Sequence, residues 1–195
     1  MKNFIFKADA NTTSKVKGSK FISYAFRIES EEQANSIIKE IKTEHPKANH
    51  HCFAWKLDEE QFRSSDDGEP SGTAGKPILG RLTSNALIYS LIVVVRYFGG
   101  TKLGVSGLIK AYKGAAELLI KETQLLEKLN YISYELEFPF ELQNEIEYNL
   151  EKLDARIKSK EFLSNCKYSI DLNEEQSEQI NILKNKYFSL QVTPS

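Results

Sequence analysis

Apolar positions along the chain switch between a period of two and a helical period, and the switches mark the elements. Residues 21–28 are rich in aromatic and β-branched side chains and predict a strand. Ser30 then stands as a helix N-cap, with Gln33 three positions on to complete a capping box. Ala34, Ile37, Ile38 and Ile41 give that helix one apolar stripe, and Pro46 follows its end. Residues 50–57 predict a second strand, with 60–64 as its partner. The polar stretch 65–77, with Gly68, Pro70, Gly72, Gly75 and Pro77, predicts a loop. A helix follows, starting near 73 or 77 and ending at 83. The continuous apolar run 87–95 suits a central strand buried on both faces. After Arg96-Tyr97-Phe98-Gly99-Gly100, a helix over 105–122 carries Leu108, Ala111, Tyr112, Ala115, Leu118 and Leu119 at helical spacing.

The rhythm changes beyond residue 130. Strands are predicted over 131–140, 156–162, 166–172 and 188–192, and helices over 141–153 and 174–187. The order β-α-β-β-α-β is that of a ferredoxin-like domain. The expected organisation is therefore α+β, with one domain over 1–127 and a second over 131–195. There is no internal repeat, low-complexity tract or long linker.

Composition supports a packed core: 41% of the 195 residues are hydrophobic and 27% charged. The net charge is −1, but Lys and Arg exceed Asp and Glu in residues 1–130, and the reverse holds in 131–195. A mildly basic first domain permits an anionic partner without demanding one. Two distant cysteines, Cys52 and Cys166, make no disulfide framework and suit a reducing compartment. The N-terminus lacks the apolar region of a signal peptide. The most apolar run, 86–95, is about half the roughly 20 residues of a membrane span. A cytoplasmic protein without a membrane role is expected.

Two stretches carry candidate chemistry. In Asp66-Asp67-Gly68-Glu69-Pro70-Ser71-Gly72-Thr73-Ala74-Gly75-Lys76-Pro77, three carboxylates precede small residues and a lysine. The carboxylates Asp66, Asp67 and Glu69 could hold a hard cation. Gly72, Thr73 and Gly75 could aim backbone N–H groups at an anion, with Lys76 beside them. An ordinary turn capped by aspartates reads equally well. A phosphate-binding Walker loop is excluded, since Pro77 follows Lys76 where Ser or Thr is needed.

The second stretch runs from Arg96 to Tyr112 as strand, glycine loop and helix start. Gly99, Gly100, Gly104 and Gly107 expose backbone, and Arg96, Lys102 and Lys110 supply positive charge. Tyr97 and Phe98 are candidates for stacking. The glycines also suit close strand–helix packing, with the aromatics as core residues. The dinucleotide pattern is excluded, because Lys102 occupies the place of its first glycine before Gly104 and Gly107. His50-His51-Cys52 has no partner set for zinc and reads as part of a half-buried strand. No catalytic residue, metal or cofactor is expected.

Asp66–Pro77, followed by Val93-Val94-Val95-Arg96-Tyr97-Phe98-Gly99-Gly100-Thr101-Lys102-Leu103-Gly104, resembles the signature of the YigZ/IMPACT family, including the spacing between the motifs. The resemblance covers residues 1–127. It implies a first domain like the second domain of ribosomal small-subunit protein five, shared with domain four of elongation factor G. The second domain is then similar to domain five of that factor. Ser106 stands where the family commonly has Gly, and Lys110 where Arg is common. Lys keeps the charge but not the planar fork. The resemblance implies a role in translation or its regulation. The expectation is a non-catalytic protein that binds RNA or the ribosome. The alternatives are a protein–protein regulator of translational stress signalling and a phosphate-handling enzyme using Asp66, Asp67 and Glu69.

Overall fold

A computed structural model describes residues 2–194, which fall into two compact units dividing between Lys128 and Leu129. In the first unit the strands are β1 (Phe4–Phe6), β2 (Ala10–Val16), β3 (Ser19–Arg27), β4 (His50–Lys56), β5 (Phe62–Ser65), β6 (Ser90–Tyr97) and β7 (Leu125–Glu127). The helices are α1 (Glu31–Glu44), α2 (Gly75–Ser84) and α3 (Gly104–Glu122). Five strands form an antiparallel sheet in the order β2-β3-β6-β4-β5, while β1 and β7 pair as a separate ribbon.

Both faces of this sheet are covered, which explains the unbroken apolar run in β6. Ile92 and Val94 join Phe21, Ala25, Ala54 and the apolar sides of α2 and α3 in one core. Leu91, Val93 and Val95 point the other way, into a core with Trp55, Phe53 and the α1 stripe of Ala34, Ile38 and Ile41. The run at 87–89 is not strand, in contrast to its apolar pattern. Ala86 and Tyr89 take φ of +50° and +48°, which turns the chain. The Ile88 N–H instead donates to the Phe4 carbonyl at 2.9 Å, so β1 takes up these backbone groups.

The α1 cap differs in one detail from the expected box. Ser30 Oγ accepts from the Gln33 N–H, but Gln33 Oε1 accepts from the N–H of Glu29, one residue before the cap, at 2.7 Å.

The second unit contains β8 (Tyr131–Phe138), α4 (Gln143–Lys152), β9 (Arg156–Phe162), β10 (Cys166–Asn173), α5 (Ser177–Lys186) and β11 (Gln191–Pro194). A short 3-10 turn precedes each helix, at Phe140–Leu142 and Glu174–Gln176. The sheet is antiparallel in the order β11-β8-β10-β9. Alternate residues Leu136, Phe138, Tyr168, Ile170 and Leu172 pack against Ile146 and Leu150 of α4 and Ile180 of α5. The last strand begins three residues later than the apolar pattern suggests, because Phe188 is fully exposed in the connection before it.

Candidate nucleic-acid interface

The acidic motif is a loop built around its own carboxylates. Asp66 Oδ2 accepts the N–H of Gly72 at 2.7 Å, and Oδ1 accepts those of Ala74 and Gly75 at 2.9 and 2.8 Å. The N-cap residue of α2, Ala74, has no capping side chain, so Asp66 serves as the cap from eight residues away. Burial pushes the Asp66 carboxyl up, yet the three N–H bonds and Lys76 outweigh it and hold the group below the usual range. Asp67 accepts the His51 N–H at 2.7 Å and pairs with Lys42 at 2.8 Å. Burial again opposes, and those partners win, so its pKa is also lowered.

Gly72 sits at φ +75°, and a Cβ on Gly75 would lie 2.7 Å from the backbone nitrogen of Ser65, so both glycines answer to backbone geometry. Thr73 Oγ1 donates to the Pro70 carbonyl at 2.6 Å. Lys76 is exposed on the first turn of α2.

Glu69 is the exception in this loop, since it is buried and reaches the second motif. Its Oε1 accepts from Arg96 Nη1 at 2.5 Å and from the Tyr112 hydroxyl at 2.8 Å. Arg96 Nη2 also donates to Ser19 Oγ at 3.3 Å. The guanidinium packs over the rings of Phe21 and Phe98, 5.6 Å from each centroid. Arg96 is therefore an internal clamp rather than the free cation expected at a strand end. The network continues to Cys52, whose Sγ lies 3.3 Å from the Tyr112 hydroxyl and donates to the Asp66 carbonyl at 3.0 Å. Burial pushes the Cys52 thiol up to about 12, which removes it as a nucleophile near neutrality. The Tyr112 hydroxyl is likewise raised by burial, then by Cys52 and Glu69.

The three carboxylates thus serve three separate structural tasks. Among the described residues, no cluster of three or more His, Cys, Asp or Glu side chains is placed to hold a metal ion.

Beyond Arg96 the motif comes to the surface. Phe98 is 46% exposed, and its N–H is held by Asn49 Oδ1 at 2.8 Å. Gly99 lies against the β2–β3 turn: a Cβ there would overlap the Gly18 backbone, and one on Gly18 would meet the Gly99 carbonyl oxygen at 2.8 Å. That close approach brings Lys17 to the same end of the sheet. Gly100 and Gly104 take φ of +85° and +71°. Gly104 opens α3, which has neither a capping side chain nor an acidic residue in its first turn. Its first N–H groups have no side-chain cap, and the positive end of its dipole faces no acidic residue of its own first turn.

Two open cavities flank Leu103 at this helix start. One, of about 360 Å³, lies among His50, Glu69, Arg96, Phe98, Lys102 and Val105. The other, of about 400 Å³, lies among Val16, Lys17, Ser106, Gly107 and Lys110. The two motifs therefore meet through Glu69 and Pro70 on one side and Arg96 to Val105 on the other. Asp66, Asp67 and Lys76 line neither cavity. Tyr97 faces the opposite side of the sheet, where its hydroxyl bonds His45 Nδ1 at 2.8 Å, so Phe98 is the aromatic at this surface.

Sequence patterning missed Lys17, Ser19 and Asn49, and read His50 only as part of a half-buried strand. Lys17-Gly18 carried a turn signal, but β2 is too polar to announce the hairpin that places it. His50 Nδ1 is bonded to the Asp67 carbonyl at 2.9 Å, and its Nε2 stands 3.8 Å from Glu69 Oε1.

Residues 17–120 match the Impact N-terminal domain family. The chain is 36% identical over 154 residues to IMPACT family member YigZ of Escherichia coli, covering 77% of this chain and 76% of that protein. It is 35% identical over 167 residues to an IMPACT family member of Haemophilus influenzae, covering 84% and 81%. A crystal structure described as a hypothetical protein superposes with a TM-score of 0.65 at 31% identity, over 98% of this chain and 96% of that one. The matched span holds the buried Glu69–Arg96 clamp, both glycine motifs and the start of α3, and this chain belongs to the IMPACT family.

Proposed function

We propose that this protein binds RNA, free or within the ribosome, through the surface at the start of α3, and acts in translation or its regulation rather than as a catalyst. The observation that carries this reading is the uncapped N-terminus of α3, ringed by exposed Lys17, Lys102 and Lys110 with exposed Phe98 beside it. Phosphates are drawn to the lysines and the helix end, and Phe98 offers a face for a base. Gly100 and Gly104, with open space where a Cβ would stand, leave the backbone open to close approach, while Gly99 and Gly107 seat the loop and helix start against Gly18 and Leu103. Arg96 acts indirectly, by supporting the Phe98 ring, and Lys76 has a lesser, flanking part.

The same proposal takes residues 1–127 and 131–195 as two domains. The first is then like the second domain of ribosomal protein five, and the second is a ferredoxin-like domain similar to domain five of elongation factor G. The β-α-β-β-α-β order and the strand order β11-β8-β10-β9 support the latter. A metal-dependent enzyme reading loses support because Asp66, Asp67 and Glu69 are each engaged in separate hydrogen bonds within the fold.

The test is binding of a labelled single-stranded RNA across a salt series. Affinity is expected to fall steeply as salt rises, and Lys102→Ala to flatten the log–log slope by about 0.7. Absence of binding at low salt would sink the proposal.

A further inference from the structure

We propose a second docking surface, the groove between α1 and the edge strand β2, whose occupant is an extended peptide carrying Lys or Arg beside an apolar side chain. Three independent features of the groove specify that occupant. First, β2 is the end strand of the five-stranded sheet, and among the described residues it pairs only with β3. The backbone groups on its far side are free to accept another strand. Second, α1 leaves this end of the sheet partly open. Tyr24 and Phe26 stack there at 6.3 Å with planes 11° apart, and with Ile37 they floor a cavity of about 300 Å³. That floor suits one apolar side chain.

Third, the rim is acidic. Asp9, Glu40 and Glu44 line the cavity, no Lys or Arg does, and none of the three carboxylates forms an ion pair with a Lys or Arg among the described residues. Glu44 has only His45 Nε2 at 3.7 Å, and Glu40 accepts from Ser36 Oγ at 3.3 Å. Three unneutralised carboxylates around an apolar floor select a cationic partner. They repel the phosphates of RNA, so this groove and the lysine-ringed end of α3 are complementary to opposite kinds of ligand. The inference does not rest on RNA binding.

The probe is a fluorescein-labelled heptapeptide of alternating Lys and Leu, with its Glu-for-Lys counterpart as control, read by anisotropy on the full chain at low salt. The Lys peptide is expected to bind saturably, more weakly as salt rises, while the Glu peptide does not bind. The combined variant Asp9→Asn, Glu40→Gln, Glu44→Gln is expected to weaken binding about tenfold or more. Glu117→Gln with Glu122→Gln, on α3, is expected to leave it unchanged. On the unmodified protein, amide resonances of residues 9–11 and 37–44 are expected to shift as peptide is added. Absence of saturable binding would overturn the proposal, as would equal binding by the combined variant or shifts confined elsewhere. A concentration-dependent dimer that excludes the peptide would give the groove to a second copy of the chain and overturn it too.

Discussion

The Arg96 guanidinium and the Glu69 carboxylate are both withdrawn from water, with side-chain exposures of 6% and 4%. Each makes the other's burial tolerable, and Tyr112 and Ser19 take part of the remaining hydrogen-bonding capacity. Arg96→Met is expected to cost about 3–5 kcal/mol, because Glu69 would be left buried with its charge opposed only by hydrogen bonds. Urea unfolding measures this, and a cost near zero would mean that Arg96 is not an internal clamp. Asp66 gives a pH signature. Its carboxyl lies below its unfolded value of roughly 3.9, so its stabilisation is full above that pH and is lost as pH falls through the lower folded value. Asp66→Ala is expected to cost about 2 kcal/mol at neutral pH and to flatten the acid limb of the stability profile. The sequence reading grouped Arg96 with Lys102 and Lys110 as positive charge for an anion, whereas the structure buries its guanidinium on Glu69. A cation between an apolar strand and a glycine loop looks exposed, and its burial depends on Glu69 and Ser19, which are distant in sequence.

Elements with strong patterning were legible and polar ones were not. The α1 stripe, β6 and the α3 face announce themselves because each buries a continuous apolar surface. Ala10–Val16 offers little but Thr, Ser, Asn and Lys, since it is an edge strand with one well-buried position, Thr12. Only its pairing with β3 makes it a strand, and with it the Lys17–Gly18 turn and the peptide groove went unseen. The contact between that turn and the β6–α3 loop admits no Cβ at Gly99. Gly99→Ala is expected to destabilise the first unit by about 2 kcal/mol or more, read as a lowered urea midpoint, and to weaken RNA binding by moving Phe98 and Lys102.

In the second unit, Glu147 on α4 accepts from Lys160 of β9 and the hydroxyl of Tyr168 of β10, tying helix to sheet. Lys160 and then Tyr168 hold its carboxyl at about 2. Because that value is depressed, the tie stabilises the unit at neutral pH and is released as pH falls from the unfolded value toward 2. A carbon-detected titration of Glu147 is expected to show a midpoint of about 2. A midpoint in the ordinary glutamate range would contradict the tie.

At the scale of the molecule, charge is sorted by surface. Lysines ring the start of α3, carboxylates rim the groove beside α1, and the carboxylates of the acidic motif are engaged in holding their own loop and Arg96. Family membership makes the two glycine motifs recognisable in the sequence, but which side chains face outward follows from register and close backbone approach. The most direct test of the interface is ultraviolet crosslinking of a bound single-stranded RNA, with the adduct located by mass spectrometry. Adducts are expected on Phe98 and in the segment from Lys102 to Lys110. Adducts confined to residues 129–194 or to the α1 groove, or none despite measurable binding, would contradict the assignment of the α3 end as the RNA-binding surface.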